Sequence, residues 1–243
     1  MPYRQLPTTI IGRLNVLEKA NEKVSSTAQE NWAVSVETKN SLQTLYTQFR
    51  NEYGERQEEF ARQAQASAAE NNQENVLRQF VSHFIRVFNM AVERGKYMAS
   101  DRLFYGLDVS QSELPVLSSE QEMVTWAINL VTGEGKRMEQ GGRDGVAPVP
   151  MSNPDITEVE TELNSYIGLS NAQSAAKQAF DAENKDVLDM LPAIDSLIRD
   201  IYDEVEFYYR RQTASNKRKL AGEWGVVYVS RPGETPEEEA PEE

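Results

Sequence analysis

The sequence has no cysteine and only one histidine among its 243 residues. The first absence removes disulfides, thiolate metal sites and thiol nucleophiles, and is compatible with a reducing compartment. The second leaves little room for imidazole chemistry. His83 lacks a Glu three residues earlier, where Phe80 stands, and no second His completes the paired Glu-x-x-His motifs of a carboxylate di-metal bundle. Beside an apolar face, His83 reads as a packed or capped side chain. No Gly-x-Ser-x-Gly nucleophile elbow occurs. Basic residues are also scarce: 25 Lys and Arg face 39 Asp and Glu, for a net charge of −14. The last ten residues hold six Glu and no base, yet the remainder is still negative, which disfavours nucleic acid as a partner. No apolar run approaches the ~20 residues needed to cross a bilayer, and the N-terminus lacks a signal-peptide core, so membrane insertion is not expected and the expected location is cytoplasmic.

What is present is helical periodicity. Over 184–211, Val187, Leu191, Ile194, Ile198, Ile201, Val205 and Tyr208 repeat at four and three, and Leu188, Leu197 and Tyr202 widen the stripe into a bundle face. Pro192 inside this helix removes one backbone donor and predicts a kink. A second stretch from Glu74 to about Met98 carries Leu77, Phe80, Val81, Phe84, Ile85, Phe88 and Val92 in the same way. Shorter amphipathic helices follow Leu6-Pro7, capped by Thr8 or Thr9, and Leu114-Pro115, where Ser118 or Ser119 with Gln121 or Glu122 forms a capping box. The second of these is lined by Met123, Val124, Ile128 and Val131. Ser152 or Asn153 is expected to cap a further helix, with Pro154 at its first position.

The order of parts repeats. Residues 1–109 and 110–230 each open on Leu-Pro, pass through one moderate helix and a linker into a long helical hairpin, and close on an aromatic-Gly-aliphatic run: Tyr105-Gly106-Leu107 and Trp224-Gly225-Val226. Phe84-Ile85-Arg86 aligns with Leu197-Ile198-Arg199, and Val92-Glu93 with Val205-Glu206. The expected fold is all-α, an up-down bundle from two pseudo-repeats forming one compact domain. The β-like runs 103–109 and 223–229 are placed to pair as a short ribbon. Residues 139–153 read as a flexible connector and 231–243 as a disordered acidic tail.

Several groups invite chemical readings. Asp195, Asp200, Asp203, Glu204 and Glu206 crowd one helix, but Asp195 with Arg199, Arg199 with Asp203, and Glu206 with Arg210 are four apart, the spacing of surface ion pairs. Arg210, Arg211, Lys217, Arg218 and Lys219 suit a helix C-terminus, and also suit a receptor for the acidic tail. Gly133-Glu-Gly-Lys136 is not a phosphate loop: Leu130 stands where the first Gly belongs, and Arg137 replaces Ser or Thr.

The run from Arg218 through Glu223-Trp-Gly-Val-Val-Tyr-Val229 to Gly233 resembles a group of uncharacterised Bacteroidetes-like all-helical proteins. So do Ser100 to Asp108, the Leu-Pro-Thr-Thr opening and Met151-Ser-Asn-Pro154. The resemblance implies a stand-alone helical protein of this length and carries no activity, cofactor or catalytic residue. Convergence of these features favours a non-catalytic structural or assembly protein that associates with itself, with no cofactor and no metal. Trp224, Val226, Tyr228, Tyr105 and Arg218 are the candidate protein-contact residues, the first four lying on β-like edges open to strand addition, with Trp224 and Tyr228 expected to anchor a contact between subunits or between the two halves. An adaptor that recruits a protein partner and a carboxylate metal-binding bundle are the alternatives.

Overall fold

The structure is a computed structural model and describes residues 2–110, 112–140 and 147–230. It is an all-α helical bundle with one small sheet. In chain order the elements are β1 (Tyr3–Gln5), α1 (Ile10–Ser26), a 3-10 turn (Gln29–Asn31), α2 (Val36–Glu93), a longer 3-10 segment (Ala99–Tyr105), α3 (Glu120–Gln140), α4 (Ile156–Tyr208), α5 (Ala214–Glu223) and β2 (Val227–Val229).

Two expected hairpins are single helices. α2 runs unbroken for 58 residues and α4 for 53. The turn expected at 70–73, Glu-Asn-Asn-Gln after an Ala-rich stretch, has no Gly or Pro, so the continuous helix that this absence also allowed is the one that forms. Pro192 lies inside α4, and the helix continues past it.

The packing divides into two compact units, Met1–Glu59 with Phe180–Glu243, and Phe60–Ala179. These bounds differ from the expected halves, which divide near residue 110. Because α2 and α4 are continuous, each gives its N-terminal part to one unit and its C-terminal part to the other. The first unit combines α1 and the start of α2 with the end of α4, α5 and both strands. The second combines α3 and the start of α4 with the end of α2 and the 3-10 segment.

The first unit's core joins Val16, Leu17 and Ala20 of α1, Leu42 and Phe49 of α2, Ile194, Ile198, Ile201 and Tyr202 of α4, and Trp224. The second joins Met123, Ala127 and Leu130 of α3, Val159 and Leu163 of α4, Val81, Phe84, Ile85 and Phe88 of α2, and Tyr105. The aligned positions Val81 and Ile194, Phe84 and Leu197, Ile85 and Ile198, and Phe88 and Ile201 are buried in their own units. Leu188 and Tyr208, expected on the α4 face, are 47% and 45% exposed.

The expected ribbon between 103–109 and 223–229 does not form. Residues 99–105 coil into a 3-10 segment, because Asp101 accepts the Met98 N–H at 3.1 Å and Gly106 closes the turn at φ 75°. β2 pairs instead with β1, antiparallel, with Arg4 opposite Tyr228. Both aromatic-Gly corners place their glycine at positive φ, but only one of them is a close approach. At Gly225, φ is 90° and an added Cβ would lie 2.8 Å from the Val16 carbonyl oxygen of α1. In the second unit the close approach falls on α3, where a Cβ on Gly133 would lie 2.5 Å from the Phe104 carbonyl oxygen.

The caps follow the sequence at two helices and depart from it at a third. Thr9 accepts from Gly12 N–H, and Ser119 and Glu122 exchange the reciprocal bonds of a capping box. α4 is capped by Asp155, not Ser152 or Asn153: Asp155 Oδ1 accepts from the Thr157 and Glu158 N–H groups, and Glu158 accepts from Asp155 N–H. Of the expected connector, 139–140 complete α3, and within 147–153 Met151 is buried while Val149 and its other neighbours stay largely exposed. Residues 141–146 and the acidic tail lie outside the described residues.

Candidate functional site

Met123, Ala127, Leu130, Glu134 and Arg137 continue one four-three stripe along α3, so the helix turns Glu134 and Arg137 inward with its apolar residues. Both are buried, at 2% and 1% exposure. The lining expected at Val124, Ile128 and Val131 is displaced by one residue, and Ile128 is 47% exposed. Glu134 and Arg137 meet Tyr105, delivered by the 3-10 segment. Arg137 Nε donates to Glu134 Oε2 at 2.8 Å and to the Tyr105 hydroxyl oxygen at 2.9 Å, and Nη2 donates to Glu134 Oε1 at 2.8 Å. The Tyr105 hydroxyl donates to Glu134 Oε2. Arg137 Nη2 also donates to the Val149 carbonyl at 2.8 Å, and Glu134 Oε1 accepts the Met151 N–H at 2.9 Å.

Burial alone would favour a neutral Glu134 carboxyl. The bonds from Arg137, Tyr105 and the Met151 amide outweigh it and hold the group below its ordinary value. Burial lowers the affinity of Arg137 for its proton, but Glu134 raises it further, so the pair is ionised. Burial and the adjacent carboxylate push the Tyr105 hydroxyl well above its usual range. Among the described residues, no buried side-chain polar atom lacks a hydrogen-bond partner. Every group of the network is committed to another segment of the chain, so the arrangement fits a clamp joining α3, the 3-10 segment and residues 149–151.

In the first unit the acidic stripe of α4 does similar work nearer the surface. The ion pairs expected along the helix are replaced by pairs to distant segments. Asp195 takes Arg13 in a two-point contact of 2.7 and 3.0 Å, and Asp203 takes Arg4, with Glu206 3.5 Å from the same guanidinium. Glu204 accepts the Ser35 N–H at 2.6 Å and the Thr38 hydroxyl at 2.7 Å. Tyr228 donates to Glu206 Oε1 at 2.6 Å.

Three of the five residues singled out as protein contacts are spent within the fold. Trp224, Tyr105 and Val226 are buried, which removes them as outward-facing anchors. Trp224 joins the core that residues of both sequence halves share in the first unit, the half-to-half contact offered for it, with its Nε1 3.3 Å from the Tyr209 hydroxyl. Tyr228 and Arg218 are half-buried. His83 is exposed rather than packed. Glu74 pairs with Arg78 one turn along α2, and Glu93 is exposed.

A carboxylate group does assemble elsewhere. Glu52 on α2 and Glu183 and Asp186 on α4 offer oxygens within 4.8 Å of one another. Burial, then Glu55, Asp186, Glu52 and Glu59, raises the Glu183 carboxyl. Asp186 is exposed and the other two are half-buried, so burial, with the mutual repulsion of neighbouring carboxylates added to it, accounts for the shift.

Two surface grooves carry exposed apolar side chains. In the second unit a groove of about 790 Å³ is lined by Tyr97, Met98, Leu103, Phe104 and Val149, with Lys96, Lys136 and Asp101 also on its walls. In the first unit a groove of about 610 Å³ lies between residues 32–35 and the end of α4, lined by Trp32, Phe207, Tyr208, Arg210 and Arg211. Sequence periodicity overlooked Glu134 and Arg137 because their charge breaks an apolar pattern. Continuing the stripe from Met123 by position rather than polarity would have found them. Among the described residues, no helix is long and apolar enough to cross a membrane. Comparison with family models, curated proteins and solved structures returns no match.

Proposed function

We propose that the chain is a non-catalytic assembly component whose partner is a second copy of itself. The observation that carries this reading is the groove of the second unit. Leu103, Val149 and Met98 stand 63%, 54% and 38% exposed around it, and contiguous apolar surface of this kind marks interaction sites. Its walls hold both signs of charge, Lys96 and Lys136 with Asp101, so a two-fold contact sets the lysines of one copy against the aspartate of the other. The commitment of Glu134, Arg137 and Tyr105 to a clamp supports a structural role for the cluster that most resembles an active site.

Particle imaging of the purified chain tests the reading. The expected result is discrete particles larger than one 27.5 kDa chain, dispersed by Leu103→Glu. Monodisperse single chains at high protein concentration would contradict it.

A further inference from the structure

We infer that the chain's own acidic C-terminal segment, 234–243, occupies the groove of the first unit. The groove is unusual in this acidic protein because it joins exposed aromatics to cations. Phe207 and Tyr208 are 65% and 45% exposed, and the Arg210 guanidinium lies 3.8 Å from the centre of the Phe207 ring. Among the described residues, neither Arg210 nor Arg211 has a carboxylate within ion-pairing distance. Glu204 also lines the groove, but its oxygens are taken by the Ser35 amide, the Ser35 hydroxyl and the Thr38 hydroxyl at 2.6, 3.1 and 2.7 Å. What this surface recognises is a carboxylate-rich segment with flat apolar groups to lay on aromatic rings.

The segment 234–243 has that chemistry. It holds six Glu, no basic residue, and Pro236 and Pro241. Carboxylates pair with the guanidinium groups of Arg210 and Arg211, and prolines pack on aromatic faces such as Trp32, Phe207 and Tyr208.

The tether is short enough. Tyr228 of β2 is bonded to Glu206 of α4, and Lys217 Nζ lies 3.9 Å from Glu206, so the chain leaves β2 beside the end of α4. Arg210 is four residues beyond Glu206, about 6 Å at helical rise. Extended, residues 231–243 span up to about 43 Å. Attachment at this range gives an effective concentration on the order of millimolar, which favours the chain's own segment over a free acidic peptide. The segment therefore screens the groove from other acidic partners. This inference does not depend on self-association through the second unit.

The absence of cysteine allows a single spin label on Ala240→Cys in the otherwise unaltered chain. In the isotope-labelled protein, the Trp32 indole N–H signal and the Phe207 and Arg211 amide signals are expected to lose most of their intensity. Arg210→Glu with Arg211→Glu should restore it, as should 1 M salt on the parent arginines, where the screening length falls to about 3 Å. No loss of intensity, or loss unchanged by both treatments, would overturn the inference. So would loss that appears in a mixture of spin-labelled unenriched chains with unlabelled enriched chains, since that places the segment on a second copy.

Discussion

The two units use similar sets of helical segments but hold their loose ends with different electrostatics. In the second unit an ion pair sits inside the core, with Glu134 and Arg137 almost wholly removed from water and tied to Tyr105, Val149 and Met151. In the first, the pairs lie at the margin: Arg13 and Asp195 have side chains 12% and 28% exposed, and Arg4 and Asp203 31% and 67%. The lesson concerns dependence. A buried charge stripped of its partner has no water to turn to, whereas a marginal one is rehydrated. The second unit buries its ion pair in one cluster and the first spreads its pairs over several weaker ties.

The sharpest test of this contrast is to remove one partner at a time. Glu134→Ala or Arg137→Ala should each cost about 3–5 kcal/mol in denaturant unfolding and strip hydrogen-exchange protection from Met151. Asp195→Ala should cost about 1 kcal/mol or less. The double variant Glu134→Leu with Arg137→Met should recover much of the loss, because no lone charge remains. Equal costs at the two sites would break the comparison.

Acid should separate the units in the same sense. The Glu134 carboxyl is held below its ordinary value of 4.5 in the folded chain. Its contribution is therefore complete above the unfolded value and is lost as pH falls through the folded one. Below pH 4.5, protection of Met151 should fall with pH in the parent chain, and Glu134→Gln should flatten that dependence.

Helix caps should matter alike in both units. Thr9→Ala on α1 and Asp155→Ala on α4 each remove a side-chain acceptor from the first turn, and each should cost about 1 kcal/mol in thermal or denaturant unfolding.

The smallest effect is expected at the acidic face of the first unit. Burial and then like charges raise the Glu183 carboxyl, so its ionisation opposes folding. The sign is opposite to that at Glu134: the relative gain is present below the unfolded value and lost as pH rises through the folded one. Glu183→Gln should therefore raise the melting temperature at pH 7 and leave it unchanged in acid.

These contrasts also show how far the sequence could be read. The α4 stripe from Val187 to Val205 and the α2 stripe from Leu77 to Phe88 are local periodicities, and both are buried much as spacing predicts. Thr9 and the Ser119 with Glu122 box are legible for the same reason, since capping is settled within four residues. The partners of the α4 acids were not legible. Arg13 is 182 positions from Asp195 and Arg4 is 199 from Asp203, so the i to i+4 arginines were the nearer inference. β1 is only three residues long and escaped notice because its pairing is with the far end of the chain. The 103–109 run misled because Leu, Phe and Tyr favour strands, while Asp101 and Gly106 impose a turn that propensity ignores. The groove of the second unit, which carries the proposed function, arises from residues near 98, 103 and 149 that only tertiary packing brings together.

Light scattering across a concentration series compares the parent chain with Leu103→Glu most directly on that function. The account predicts a parent mass that rises to a multiple of 27.5 kDa while the variant stays at one chain with unchanged helicity. A parent mass of 27.5 kDa at every concentration, or a variant that associates as the parent does, would contradict it.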